Sequence, residues 1–65
     1  MDTNTLISTL KTNNFISFKK GKDKIVIIRY PAATREDLFT VTVNGSTRIN
    51  QGDVHSMLKE ARKFY

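Results

Sequence analysis

Lysine crowds one short stretch of this sequence. Lys19-Lys20-Gly21-Lys22-Asp23-Lys24, followed by Arg29, puts five basic groups and one acid within eleven residues. Basic side chains around a glycine suit phosphate contact, because ammonium groups and bare backbone amides can both approach an anion closely. On duplex DNA each phosphate neutralised adds roughly −0.9 to the slope of log affinity against log salt. The same lysines would also serve a solvated turn, keeping a strand edge from pairing with other chains. A second basic stripe, Lys59, Arg62 and Lys63, lies near the end of the chain with His55 four residues before Lys59. It could contact phosphates or complement the negative end of a helix dipole.

Catalytic signals are sparse by comparison. His55 is the only side chain whose unperturbed pKa suits proton transfer near neutrality, and it stands alone. Glu36-Asp37 sits in a polar connection, and Ser17, Ser46 and Ser56 have no neighbouring base. There is no cysteine, no metal-ligand spacing and no phosphate-cradling glycine motif. The expectation is a chain with no catalytic residue, no metal and no cofactor.

Length and charge narrow the class further. Sixty-five residues allow one domain, residues 1–65, that buries only about 60% of its unfolded surface. Without disulfides, a homodimer is one route to extra burial. The net charge of +5 favours polyanionic partners, although many small proteins carry such a charge for solubility. The longest apolar run, Ile25-Val26-Ile27-Ile28, is far short of the ~20 residues of a membrane span. Met1 to Thr5 lacks signal-peptide features. A cytoplasmic location, away from membranes, is expected.

Apolar spacing supplies the elements that must carry these residues. Thr3, Leu6, Ile7, Leu10 and Asn14 predict a helix over 3–13, capped by Asp2 or Thr3 and stopped at Asn13-Asn14. Phe15 to Lys20 is rich in strand formers, and Gly21-Lys22-Asp23 predicts a tight turn. Lys24 to Tyr30 predicts a second strand ended by Pro31. Either Val26 and Ile28 or Ile25, Ile27 and Arg29 face the helices, leaving apolar residues on the other side as a dimer or partner surface. Ala32 to Asp37 reads as a connection. Leu38 to Val43 alternates strictly, with Phe39, Val41 and Val43 inward, and Asn44-Gly45 closes it with a turn. Asn50-Gln51-Gly52-Asp53 predicts a helix start capped by Asn50, followed by an apolar stripe of Val54, Met57, Leu58, Ala61 and Tyr65. The expected fold is α+β: helix-strand-strand-strand-helix, a three-stranded antiparallel sheet with both helices on one face. Double-stranded-RNA-binding domains share that architecture.

Several segments are similar to HicA-type mRNA interferase toxins, proteins of toxin–antitoxin systems. Leu6 to Lys11 followed by Asn13-Asn14-Phe15 resembles that family's first helix and its step into a strand. Lys20-Gly21 resembles the basic-glycine step before its catalytic segment. Val41 to Gly45 and Ile49 to Ala61 resemble its third strand and final helix. The resemblance implies a double-stranded-RNA-binding-domain-like fold and RNA contact. The family activates the RNA 2′-hydroxyl with a histidine shortly after the glycine, whereas Lys22, Asp23 and Lys24 stand here, and the segment up to Pro31 needs a gap to match. Nuclease activity is therefore not carried over; were the chain a ribonuclease, Asp23 could in principle act as the base. The expected function is RNA or DNA binding, RNA favoured, through Lys19, Lys20, Lys22, Lys24, Arg29, Lys59, Arg62 and Lys63. The alternative is a small inhibitor or regulator, of phage or mobile-element type, that binds a protein through its sheet face or an edge strand.

Overall fold

A computed structural model describes residues 1–65. Helix α1 spans Thr3–Asn13. The Asp2 carboxylate accepts from the Thr5 amide at 2.8 Å and so caps its free N-terminus. Asn14 ends α1 in the left-handed conformation at φ 63°, where its amide donates to the Leu10 carbonyl. Asparagine tolerates that conformation better than most residues.

Strands β1 (Phe15–Lys20), β2 (Asp23–Tyr30), β3 (Leu38–Val43) and β4 (Ser46–Gly52) follow as an antiparallel meander in the order β1-β2-β3-β4. Helix α2 (Val54–Ala61) and a single 3-10 turn, Arg62–Phe64, complete the chain. The sheet thus has four strands, which corrects the three-stranded sheet expected from sequence. Residues 46–52 are strand, not the approach to a helix capped by Asn50. The cap is Asp53, whose carboxylate accepts from the Ser56 amide at 2.8 Å.

The missed strand has a physical explanation. β4 is an edge strand, and Ile49 is the only large apolar residue it turns toward the core. Its register against β3 shifts twice, between Phe39 and Val41 and again between Val41 and Thr42. Each shift inserts residues into one strand, so the period of two that marks a strand in sequence is lost. Gln51, at φ 53°, lies in this irregular stretch and donates its amide to Thr40 Oγ1 at 3.1 Å. The Asn44-Gly45 turn nevertheless signals a returning strand. Both residues have positive φ (53° and 83°), as a two-residue type I′ hairpin requires.

The other hairpin sets the faces of the sheet. Gly21 has φ 61° while Lys22 does not take positive φ, the pattern of a type II′ turn with glycine first. The loop is two residues, so Lys20 pairs with Asp23, Lys19 with Lys24 and Phe15 with Ile28. A three-residue turn over Gly21-Lys22-Asp23 would slip the register by one and turn every β2 side chain to the opposite face.

In the observed register Ile25 and Ile27 pair with Val43 and Val41, and all four are buried. Leu6 and Leu10 of α1 and Met57 and Ala61 of α2 cover them, so both helices pack on this one face. Ile16 and Phe18 extend the same layer along β1. Tyr65 closes it, with its ring edge-on to Phe18 at 6.4 Å between centroids and its hydroxyl 2.9 Å from Thr3 Oγ1. Chain start and chain end therefore share one corner of the core.

Met57 is fully buried, so Met57→Ala should destabilise the domain by about 2–5 kcal/mol. The two candidate caps differ in a urea titration. Asp53→Ala should lower the unfolding midpoint, and Asn50→Ala should leave it where it is.

Candidate nucleic-acid interface

The β1–β2 hairpin carries Lys19, Lys20, Lys22 and Lys24 at one end of the sheet, and all four are exposed. None lies within salt-bridge distance of a carboxylate; the ion pairs join Arg29–Asp37, Arg48–Glu60 and Lys63–Glu60. Lys19 and Lys24 are cross-strand partners on the face away from the helices. Like charges placed directly opposite oppose folding, and an anion bound between them would relieve the repulsion. Nothing crowds the space where a Gly21 Cβ would stand, so the backbone at the hairpin tip is open to a close approach.

A side-chain clamp holds this end of the sheet. Asn44, in the β3–β4 turn, accepts from the Lys24 amide through Oδ1 at 2.9 Å. Its Nδ2 donates to Asp23 Oδ1 at 2.8 Å, and its amide donates to the Lys24 carbonyl. The lone acid of the basic cluster is thereby turned toward a neutral amide. Asp23 thereby orders the hairpin and forms no salt bridge with the lysines around it.

Arg29 lies elsewhere. It is five residues from Lys24 along β2, about 17 Å, and its side chain is on the helix-covered face. Its Nε donates to Asp37 Oδ2 at 2.8 Å and its Nη1 to Asn14 Oδ1 at 2.9 Å, with the Lys11 carbonyl at 3.5 Å. Asp37 also accepts from the Ala32 amide at 3.2 Å. This knot joins the end of α1, the end of β2 and the 31–37 connection. The Arg29 side chain is 17% exposed and is committed to the fold. Beside it opens a cleft of about 410 Å³ between Ile7, Leu10, Phe39 and Val54, with Lys11 and Arg35 among its polar residues.

The C-terminal cations are on the helical layer, across the domain from Lys19 and Lys24. Lys59 and Arg62 are exposed, and Lys63 donates to Glu60 Oε2 at 3.0 Å. His55 is exposed on α2. No cluster of three or more His, Cys, Asp or Glu is placed to hold a metal. The structure thus gathers four of the eight cations named from sequence into one patch and leaves Arg29 and the three helical cations outside it.

Two aromatic residues that the sequence had not assigned to a surface join the site. Phe15 is 55% exposed and Tyr30 40% exposed, both on the helix-free face, with Ile28 directly opposite Phe15. Their placement follows from the two-residue turn, because pairing Lys20 with Asp23 assigns every residue of β1 and β2 to a face. The sequence therefore held the necessary signal in Gly21-Lys22.

Comparison of the sequence with family profiles and with characterised proteins, and of the fold with solved structures, finds no match. No helix is long and apolar enough to cross a membrane.

The Arg29 knot has a pH signature. The Arg29 guanidinium, then the Ala32 amide, hold the Asp37 carboxyl below its ordinary value of 3.8, and capping amides at Thr5 and Ser56 do the same for Asp2 and Asp53. A carboxyl with a depressed folded pKa contributes its full stability above the unfolded pKa and loses it as pH falls through the folded value. Stability should therefore decline below about pH 4. Asp37→Asn should flatten part of that decline in urea midpoints measured across the acid range.

Proposed function

We propose that this chain is a small nucleic-acid-binding domain of the cytoplasm, with RNA favoured over DNA, that grips phosphates through the β1–β2 hairpin and has no nuclease chemistry of its own. The observation that carries the reading is the hairpin itself: four exposed lysines without a carboxylate partner, on a turn whose backbone is open. Five of the six acidic groups are engaged in the fold, and the sixth, Glu36, is exposed in the 31–37 connection beside the Arg29 cleft. Asp2 and Asp53 cap helices, Asp37 holds Arg29, Glu60 pairs with Arg48 and Lys63, and Asp23 binds Asn44. Positive charge at the hairpin is left to an outside partner, and a polyanion is the partner that a row of lysines fits best.

The preference for RNA rests on the resemblance to HicA-type toxins. The lack of cleavage rests on Lys22, Asp23 and Lys24 standing where that family has its histidine. The exposed apolar residues of the sheet also suit a protein partner or a second copy, the competing reading. Charge favours nucleic acid, because an ordinary protein surface does not supply a matching row of anions.

Gel shifts with RNA and DNA at two salt concentrations test the proposal. The double variant Lys20→Glu, Lys22→Glu should weaken binding alike on all sequences. For each phosphate it no longer neutralises, the salt slope should fall by roughly 0.7 on a single strand, or about 0.9 on duplex DNA. The pair Lys59→Glu, Arg62→Glu should have a much smaller effect. If that pair abolishes binding while the hairpin variant binds normally, the interface is on α2 and the hairpin assignment is wrong.

A further inference from the structure

The helix-free face of the sheet is divided along its length. At one end Lys19 and Lys24 stand opposite each other. At the other end Phe15 stands opposite Ile28, and Tyr30 follows two residues on, diagonal to Phe15. The two ends are four residues apart along each strand, about 13 Å. On the neighbouring strand Leu38 pairs with Tyr30, and the smaller Thr40 and Thr42 pair with Ile28 and Val26. The four strands contain one carboxylate, Asp23, which is bound to Asn44 and belongs to the opposite face by the alternation of β2. This face therefore presents aromatic rings and lysines with no acid among its strand positions.

Exposed rings on a strand surface offer flat platforms, and every nucleobase has a π-face to stack on them. Bases inside a duplex are already stacked on each other and cannot use such platforms. The lysines at the far end carry the charge that a phosphate backbone requires. A second copy of the chain or a neutral protein would use the rings but leave Lys19 and Lys24 facing each other uncompensated.

We infer that this face binds single-stranded nucleic acid, with unpaired bases stacked on Phe15 and Tyr30 and the backbone running to the Lys19–Lys24 pair. The inference rests on the nucleic-acid reading above and deepens it, turning a general phosphate grip into a preference for unpaired strands. Stacking on an aromatic residue is typically worth a factor of roughly five to a hundred in affinity. The lysine contribution and the ring contribution are separable, because only the former depends on salt.

The test uses the whole chain with a fluorescently labelled, mixed-sequence single-stranded RNA and the same RNA annealed to its complement. Anisotropy should show the single strand bound at least about tenfold more tightly than the duplex. Phe15→Ala and Tyr30→Ala should each lower single-strand affinity about fivefold or more while leaving the salt slope unchanged. Tyr30→Phe should restore the loss, since it keeps the ring. Both positions are exposed, so circular dichroism should report the wild-type fold in every variant. Tyrosine emission gives a further readout: Tyr30 should be quenched on binding, while a Tyr30→Phe protein, retaining only Tyr65 in its contact with Phe18, should be quenched little.

Equal binding of single strand and duplex, or unchanged affinity in the Phe15→Ala, Tyr30→Ala double variant, overturns the stacking inference while leaving the hairpin reading in place. Failure to bind either RNA or DNA removes both. A light-scattering mass of two chains that falls to one in the double variant assigns the face to a homodimer and overturns the inference as well.

Discussion

One constraint organises the domain: the Ile25, Ile27, Val41 and Val43 layer must be kept from water by two short helices. Only nine residues are buried, and these four form the centre of that set. Burial of apolar side chains contributes about 1.5–3 kcal/mol each, so few of them can be lost by a chain this small. Leu6 and Leu10 cover the layer from one end of the sequence, Met57 and Ala61 from the other. No third helix covers the opposite side. The open face of the sheet is therefore a direct consequence of how the core is covered, and the residues on it are released from packing duty.

Polar groups are arranged just as sparingly. Each helix begins on an aspartate cap, Asp2 or Asp53, and α1 ends where Asn14 meets Arg29. Arg29 extends from the buried face of β2 and satisfies its charge on Asp37, which in turn fixes the Ala32 end of the connection between β2 and β3. An arginine so bound is part of the architecture even though it belongs to a basic stretch of sequence. The lysines of the hairpin have no such ties. Asp23, the one carboxylate in the four strands, is held by Asn44 and forms no salt bridge with them.

The two turns at that end of the sheet are of different kinds and do different work. Gly21-Lys22 sets the register that brings Lys19 against Lys24 and Phe15 against Ile28. Asn44-Gly45 returns the chain into β4 and carries the side chain that fastens the β2 start. The edge strand it launches is polar and bulged, which discourages pairing with another chain. On the far edge β1 ends in Lys19 and Lys20, and the same lysines that guard that edge give the hairpin its positive charge.

Much of this was legible in the residues alone. The two helices, the three apolar strands and the inward alternation of Phe39, Val41 and Val43 follow from spacing, because burial on one side imposes a period on the chain. β4 left no such mark: one inward isoleucine and two register shifts do not make a pattern, although Asn44-Gly45 called for a partner strand. The charge of the hairpin was equally plain, since exposed lysines need no packing to be recognised. Which cations act together was not. Arg29 is near the lysines in sequence and far from them in space, and its partner Asp37 is brought to it by a loop with no periodicity. The open face depended on a single residue of register, whether the turn holds two residues or three. Only the paired strands decide that, because hydrogen bonding between them assigns each side chain to the core or to the open face of the sheet.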